Sequence, residues 1–256
     1  MLKIIALITK FILMALTALL FGSCIKYETS ETINGSGILT KEIRNIEEDF
    51  KKIEVHNNID VTVEQSDEIE VIVQTDAVFQ KEITTEVKDG TLVIGCKQSK
   101  SSFSIFGYKC NYTKNIPVKK VIVRLPKIEV LEANSAATIE NIGVLKSENI
   151  SLSTSSAAKM DVNIESDIIN AKSSSGSSLK IKGLALQFEV SASSGSTTDA
   201  EELLANDIFA ESSSGASVSV HPIVSLKADA SSGSSIHYNS APKTIEKKSH
   251  SGGSIN

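Results

Sequence analysis

Ser175-Gly176-Ser177 and Ser194-Gly195-Ser196 are two occurrences of one phrase. It returns as Ser214-Gly215-Ala216, Ser232-Gly233-Ser234 and Ser251-Gly252-Gly253, and Ser135-Ala136-Ala137 and Ser156-Ala157-Ala158 precede it. Between the central residues the intervals are 21, 19, 19, 20, 18 and 19 residues. Self-similarity at such a period is the mark of a solenoid.

Aligned on the central residue, the repeats keep fixed aliphatic positions. Seven before the centre stand Ile150, Ile169, Phe188, Ile208, Leu226 and Ile245; three after stand Ile139, Met160, Leu179, Val218, Ile236 and Ile255. Three before is small: Ala133, Thr154, Ser173, Ala192, Ser212, Ala230 and Ser249. Odd offsets share one face of a strand, so these columns predict the inside of the solenoid. The same parity puts the constant Ser, one before the centre, on the inside. Even offsets are polar and predict the outside. A Ser-rich disordered chain has no reason to hold this register. About 19 residues at roughly 3.3 Å each make a narrow circuit of about 60 Å. The expected fold is all-β: a single-stranded parallel β-helix of about seven coils over 131–256.

Residues 38–130 read as a β-rich region packed on the solenoid or continuing it. Ile59 to Val63 and Ile69 to Val73 alternate with period two and are rich in β-branched residues. Asp76 is placed to cap one short helical turn, and Lys88-Asp89-Gly90 is a hairpin signal. Residues 98–117 lack periodicity and gather Phe103, Phe106, Tyr108 and Tyr112. These rings either close one end of the core or contact a ligand.

The N-terminus reads as a targeting segment. Lys3 and Lys10 flank an apolar run that continues from Phe11 to Phe21 and ends at Gly22-Ser23-Cys24. Such a run is short for a membrane span and has the layout of a secretory signal. Leu20-Phe-Gly-Ser-Cys24 resembles a bacterial lipobox. The expected organisation is a signal peptide at 1–23, a lipid on Cys24 and a polar tether over 24–37. The partner expected of the N-terminus is therefore a membrane, through its lipid, in the cell envelope at the outer membrane. In that oxidising setting Cys96 and Cys110 are candidates for a short disulfide loop. The formal charge of −5 offers no basic field for nucleic acid.

Both halves resemble one family. Ile33-Asn-Gly-Ser-Gly37, Phe50-Lys-Lys-Ile-Glu-Val55 and Ile59-Asp-Val-Thr-Val63 are similar to its opening, Ile83-Thr-Thr-Glu-Val-Lys-Asp-Gly-Thr-Leu-Val-Ile94 to its middle, and the Ser-Gly repeats to its end. It is the putative auto-transporter adhesin, head GIN domain family, common in Bacteroidetes-type bacteria. The resemblance implies a secreted or lipid-anchored β-solenoid. It implies no catalytic residues.

Few residues suggest chemistry. His56, His221, His237 and His250 are not at metal-ligand spacing, and no metal or cofactor is expected. Ser156 and Lys159 match a serine-acylase spacing, but on strands they fall on opposite faces. Asp161 and Asp199, four after their centres with Lys180 on the coil between, are the candidates for a polysaccharide lyase or hydrolase; alternating charges that keep a sheet soluble explain them as well. Two after the centre runs an outward row that includes Ser178, Thr197, Ser217 and Ser235, a candidate contact for a repetitive polymer. The expected function is non-catalytic: an adhesin-like protein binding a glycan or a host or cell-surface protein. A carbohydrate-active enzyme and a structural or stress-related envelope component are the alternatives.

Overall fold

The computed structural model describes residues 35–97 and 118–256, together with Lys10. Its strands are β1 (Leu39–Arg44), β2 (Lys52–Val55), β3 (Asp60–Gln65), β4 (Glu70–Asp76), β5 (Ile83–Lys88), β6 (Thr91–Cys96), β7 (Lys119–Leu125), β8 (Val130–Ala133), β9 (Thr138–Ile142), β10 (Leu145–Thr154), β11 (Lys159–Ser173), β12 (Ser178–Ala192), β13 (Thr197–Ser212), β14 (Ser217–Ala230), β15 (Ser235–Tyr238), β16 (Thr244–Ser249) and β17 (Ser254–Ile255). From β8 onward each coil pairs in parallel with the next, and the repeat columns stack in register. The chain forms a parallel β-solenoid.

Each coil is two walls joined by two corners. The Ser-Gly phrase makes the first corner. Ser175 and Gly176 both have positive φ, 53° and 66°, and the Ser177 amide donates to the Ser174 carbonyl at 3.2 Å. Two central residues with positive φ inside such a bond make a turn of type I′. Glycine fits the second position without steric cost, and Ala136 and Ala157 hold it in the first two coils. The central amides ladder along the rod: Ala136 donates to Ser156, Ala157 to Ser175, Gly176 to Ser194 and Gly195 to Ser214.

This turn corrects the expected side of the constant Ser. Two left-handed residues in succession break the strand parity, so Ser135, Ser156, Ser175, Ser194, Ser214, Ser232 and Ser251 are exposed. The residue after the centre points inward instead: Ala137, Ala158, Ser177, Ser196, Ala216 and Ser234 are buried. The inner hydroxyls are all bonded. Ser177 Oγ donates to the Thr154 carbonyl at 3.0 Å, Ser196 Oγ to the Ser173 carbonyl at 2.9 Å and Ser234 Oγ to the Ser212 carbonyl at 2.7 Å. Thr198, the one polar member of its aliphatic column, is fully buried and shares a 2.8 Å hydrogen bond with Ser173. A buried hydroxyl left without a partner costs on the order of 1–3 kcal/mol, so this small column is affordable only as a network.

At the second corner the parity switches again. Ala185 and Phe188 are both buried, while Leu186 and Gln187 between them face out. An additional residue in β13, opposite the stretch between Lys180 and Lys182, accounts for the longer 20-residue interval.

The N-terminal region continues the solenoid, in a different order from the chain. β2 lies between β6 and β8, and β3 between β7 and β9, all in parallel. The pair Asn57-Asn58, with φ 65° and 54°, takes the place of the Ser-Gly phrase there, and the Asn58 amide donates to the Ser135 carbonyl at 2.9 Å. Beyond the β6–β7 coil the pairing becomes antiparallel: β4 lies on β7, β1 on β4 and β5 on β6. These three strands close that end. β5 and β6 form the expected hairpin across Asp89 and Gly90, and Asp76 caps the short 3-10 turn Ala77–Phe79. Asp76 is buried and accepts from Ser36 Oγ at 2.8 Å, the Gly37 amide at 2.7 Å and the Val78 amide at 3.1 Å, which pins the entry to β1.

Candidate functional site

The outward face of the wall that follows the turn carries two parallel rows. In the first, Thr138, Lys159, Ser178, Thr197, Ser217, Ser235 and Ser254 stand in direct register, one per coil. Adjacent strands lie about 4.8 Å apart, which sets the repeat of this row. Ser178 and Thr197 are exposed, Ser217 and Ser235 partly so, and Ser235 Oγ donates to Ser217 Oγ at 3.3 Å. The structure brings these four together as the sequence predicts.

The second row is charged: Glu140, Asp161, Lys180 and Asp199 are in register. Lys180 Nζ lies 2.9 Å from Glu202 and 3.6 Å from Asp199, and Lys182 Nζ lies 3.7 Å from Asp161. The hydrogen bond to Glu202 raises the Lys180 ammonium, and the same bond lowers the Glu202 carboxyl. Asp161 and Asp199 are therefore members of an ion-pair ladder on a sheet face, each held by a lysine. Their geometry is that of a charge row, not of two carboxylates facing across a cleft. Ser156 lies on a turn and Lys159 on the outward row, both exposed.

A second polar site sits at the closed end. Glu54 and Glu132 are direct neighbours on β2 and β8, and His56 Nε2 is 2.9 Å from Glu54. Burial raises the Glu132 carboxyl and the Glu54 carboxylate adds to it, against the pull of His56 and Lys52. Next to His56 is a small depression lined by Thr84, Glu86, Lys88, Val93, Gly95, Cys96 and Lys97. Close by, Lys119 Nζ donates to the Asn57 carbonyl at 3.2 Å. Burial pushes the Lys119 ammonium down to about 8, with Asp60 opposing. Among the described residues, no group of three His, Cys, Asp or Glu side chains suits a metal ion.

The stretch with Phe103, Phe106, Tyr108 and Tyr112 stands in the sequence between β6 and β7. Those four rings, Cys24 and Cys110 lie outside the described residues. Cys96 is disulfide-bonded, and its partner lies outside them too. Sequence reasoning missed Asn57-Asn58 as a further turn of the ladder. The signal was there, since Asn tolerates the left-handed region, but 78 residues separate Asn58 from Ala136 and hide the repeat. It also missed the second corner, where Leu184, Leu186, Leu204 and Ile223 are exposed on neighbouring coils.

The family model for the putative auto-transporter adhesin, head GIN domain, matches residues 49–242. The chain belongs to this family. Three solved structures show the same fold. A putative adhesin from Bacteroides fragilis is 18% identical, with a TM-score of 0.73 over 87% of this chain and 98% of its own. A putative lipid binding protein from Parabacteroides distasonis is 20% identical, with a TM-score of 0.72 over 88% and 99%. A putative adhesin from Parabacteroides merdae is 17% identical, with a TM-score of 0.67 over 88% and 98%. No curated protein matches the chain. The family match takes in both β3 and the repeats, consistent with one continuous solenoid from β2 onward.

Proposed function

We propose that this chain is a non-catalytic, lipid-anchored protein of the cell envelope that binds a repetitive polymer, a glycan in the first instance, along its outward hydroxyl row. The observation that carries the reading is the register of that row. It offers about one short polar side chain per 4.8 Å on a flat wall, which suits a ligand that repeats along its length. The ion-paired ladder beside it fixes polar groups in place and keeps the wall from associating with other sheets. The family and the two neighbours named as adhesins support an envelope or surface setting. The lipobox-like stretch ending at Cys24 supports the anchor.

A glycan array probed with the full chain tests binding. The expected result is retention on a polysaccharide, reduced at least tenfold when Ser178, Thr197 and Ser217 are all changed to Val. An array without binding, with unchanged adhesion of a deletion strain, overturns the reading. Cys24→Ser tests the anchor separately, with the chain expected to move from the membrane fraction to the soluble one.

The exposed aliphatic corner favours a second reading, contact with lipid. One structural neighbour is named a putative lipid binding protein, and Leu184, Leu186, Leu204 and Ile223 would supply the apolar surface here. Co-sedimentation with phospholipid vesicles, lost in Leu184→Ser/Leu204→Ser, would favour it over glycan binding.

A further inference from the structure

The second corner changes chemistry along the rod. Three consecutive positions there read Lys146-Ser147-Glu148 in β10 and Glu165-Ser166-Asp167 in β11. The same positions read Leu184-Ala185-Leu186 in β12 and Leu204-Ala205-Asn206 in β13. Lys146, Glu165, Leu184 and Leu204 are in direct register. Glu148, Asp167, Leu186 and Asn206 follow at one place of each coil, between paired neighbours. In β14, Ile223 follows Pro222, the partner of Ala205. These residues line an open groove of about 680 Å³, a volume that suits a small molecule.

The groove is apolar at one end and acidic at the other. Leu184, Leu186, Leu204 and Ile223 are exposed side by side, and such a patch, unlike a scattered leucine, marks a contact. At the β10–β11 end the Ser166 hydroxyl reaches the Glu148 carbonyl at 3.1 Å and the Ile168 carbonyl at 3.0 Å, which holds the backbone there. Lys146 Nζ lies 3.0 Å from Glu165, so that pair is balanced. Glu148 and Asp167 are exposed and in no ion pair among the described residues. Lys51 and Lys127, beyond Glu148, act on Glu129. Asp167 is thus the carboxylate next to the aliphatic groups, with Glu148 behind it. Four strand spacings separate Glu148 from Ile223, about 19 Å in all.

We propose that the second corner binds a single-chain amphiphile with a cationic head. The tail lies over Leu184, Leu186, Leu204 and Ile223, and the head sits at Asp167 and Glu148. The proposal rests on the reading of this corner as a lipid contact and adds the head group to it. Burial of the tail supplies attraction without direction. The carboxylates supply direction and sign, because an anionic head would stand beside two unpaired negative charges.

Isothermal titration calorimetry of the full chain at neutral pH, with dodecylamine and with laurate below their critical micelle concentrations, tests this. Dodecylamine is expected to bind at least tenfold more tightly, by a margin that shrinks as salt rises. Glu148→Gln/Asp167→Asn should cut the margin below threefold. Glu211→Gln/Asp229→Asn, which removes the same charge beside the first corner, should keep it. Equal binding of the two amphiphiles overturns the head-group assignment and leaves the lipid contact standing. Binding of neither overturns both. A chain that dimerises through this corner, returned to monomer by Leu186→Glu, assigns the groove to a second copy and overturns the proposal, as does tighter binding of a leucine- and lysine-rich peptide than of dodecylamine.

Discussion

The amide of Gly176 donates to the carbonyl of Ser194, one coil along, at 3.1 Å. Both residues sit in left-handed turns, and the bond between them is one rung of a ladder that runs along the whole first corner. The repeat that dominates the sequence is therefore a row of outward turns.

That geometry separates two glycines. At Gly176 an added Cβ meets nothing within 4 Å, so Gly176→Ala carries only the left-handed strain, about 1 kcal/mol. At Gly183, φ is +117° and a Cβ would lie 2.0 Å from the Ile164 carbonyl oxygen on the neighbouring coil. Gly183→Ala is expected to cost roughly 3 kcal/mol, the upper range for overpacking. Urea denaturation of the two variants checks the contrast.

The inner hydroxyls give a coupled test. Ser173→Ala strands Thr198 Oγ1 in the core and should destabilise by about 1–3 kcal/mol. Thr198→Val alone leaves Ser173 bonded to Ser196 at 3.0 Å and should cost less. The double variant should be more stable than Ser173→Ala by itself. A double-mutant cycle of denaturation midpoints measures the coupling.

Two carboxyls predict opposite pH dependence. Burial alone would raise Asp76, but hydrogen bonds from Ser36, Val78 and Gly37 outweigh it and hold the carboxyl below its ordinary value. Its contribution is present above the unfolded carboxylate pKa and is lost as pH falls through the lower folded one. Glu132 is raised, so the folded state binds the extra proton and stability declines as pH rises from the unfolded pKa through the folded one. The protection of β1 amides, corrected for the intrinsic exchange rate, should therefore fall in acid, and Asp76→Asn should flatten that response. Glu132→Gln should stabilise the chain at neutral pH.

Cys96 is disulfide-bonded, and Cys110 is the partner the sequence expects. Closing a loop of this length stabilises by about 3 kcal/mol in the chain-entropy view. Reductant should lower the denaturation midpoint accordingly. A non-reducing peptide map should join Cys96 to Cys110, and a map that joins Cys96 to Cys24 would refute the pairing.

The solenoid was legible because its core is periodic. Ile169, Phe188 and Ile208 recur at the same offset, and a narrow core admits little else. The side on which Ser175 lies was not legible, because parity counting assumes continuous strand and the turn inserts two left-handed residues. The place of β2 and β3 was hidden for a different reason. β2 is set by register with Leu92 and Leu131 and β3 by register with Val121 and Ile139, far away in the chain, and no local pattern announces that. On the candidate site, the hydroxyl row followed directly from the repeat. The lysine partners of Asp161 and Asp199 depended on which outward groups the coils bring alongside.

The displaced order of the first coils bears on how the molecule folds. From β10 onward each strand finds its partner about one repeat further along, so those coils can zip up through short loop closures. The β2–β3 coil must wait for β6 and β7 on one side and for β8 and β9 on the other. A chain delivered N-terminus first would leave β2 without β6 until residue 96 arrives, β3 without β7 until residue 125, and both without their second neighbours until residue 142. The repeats are then the fast-folding part and the closed end the last to lock, so early truncation would expose the edges of β2 and β3 before any others.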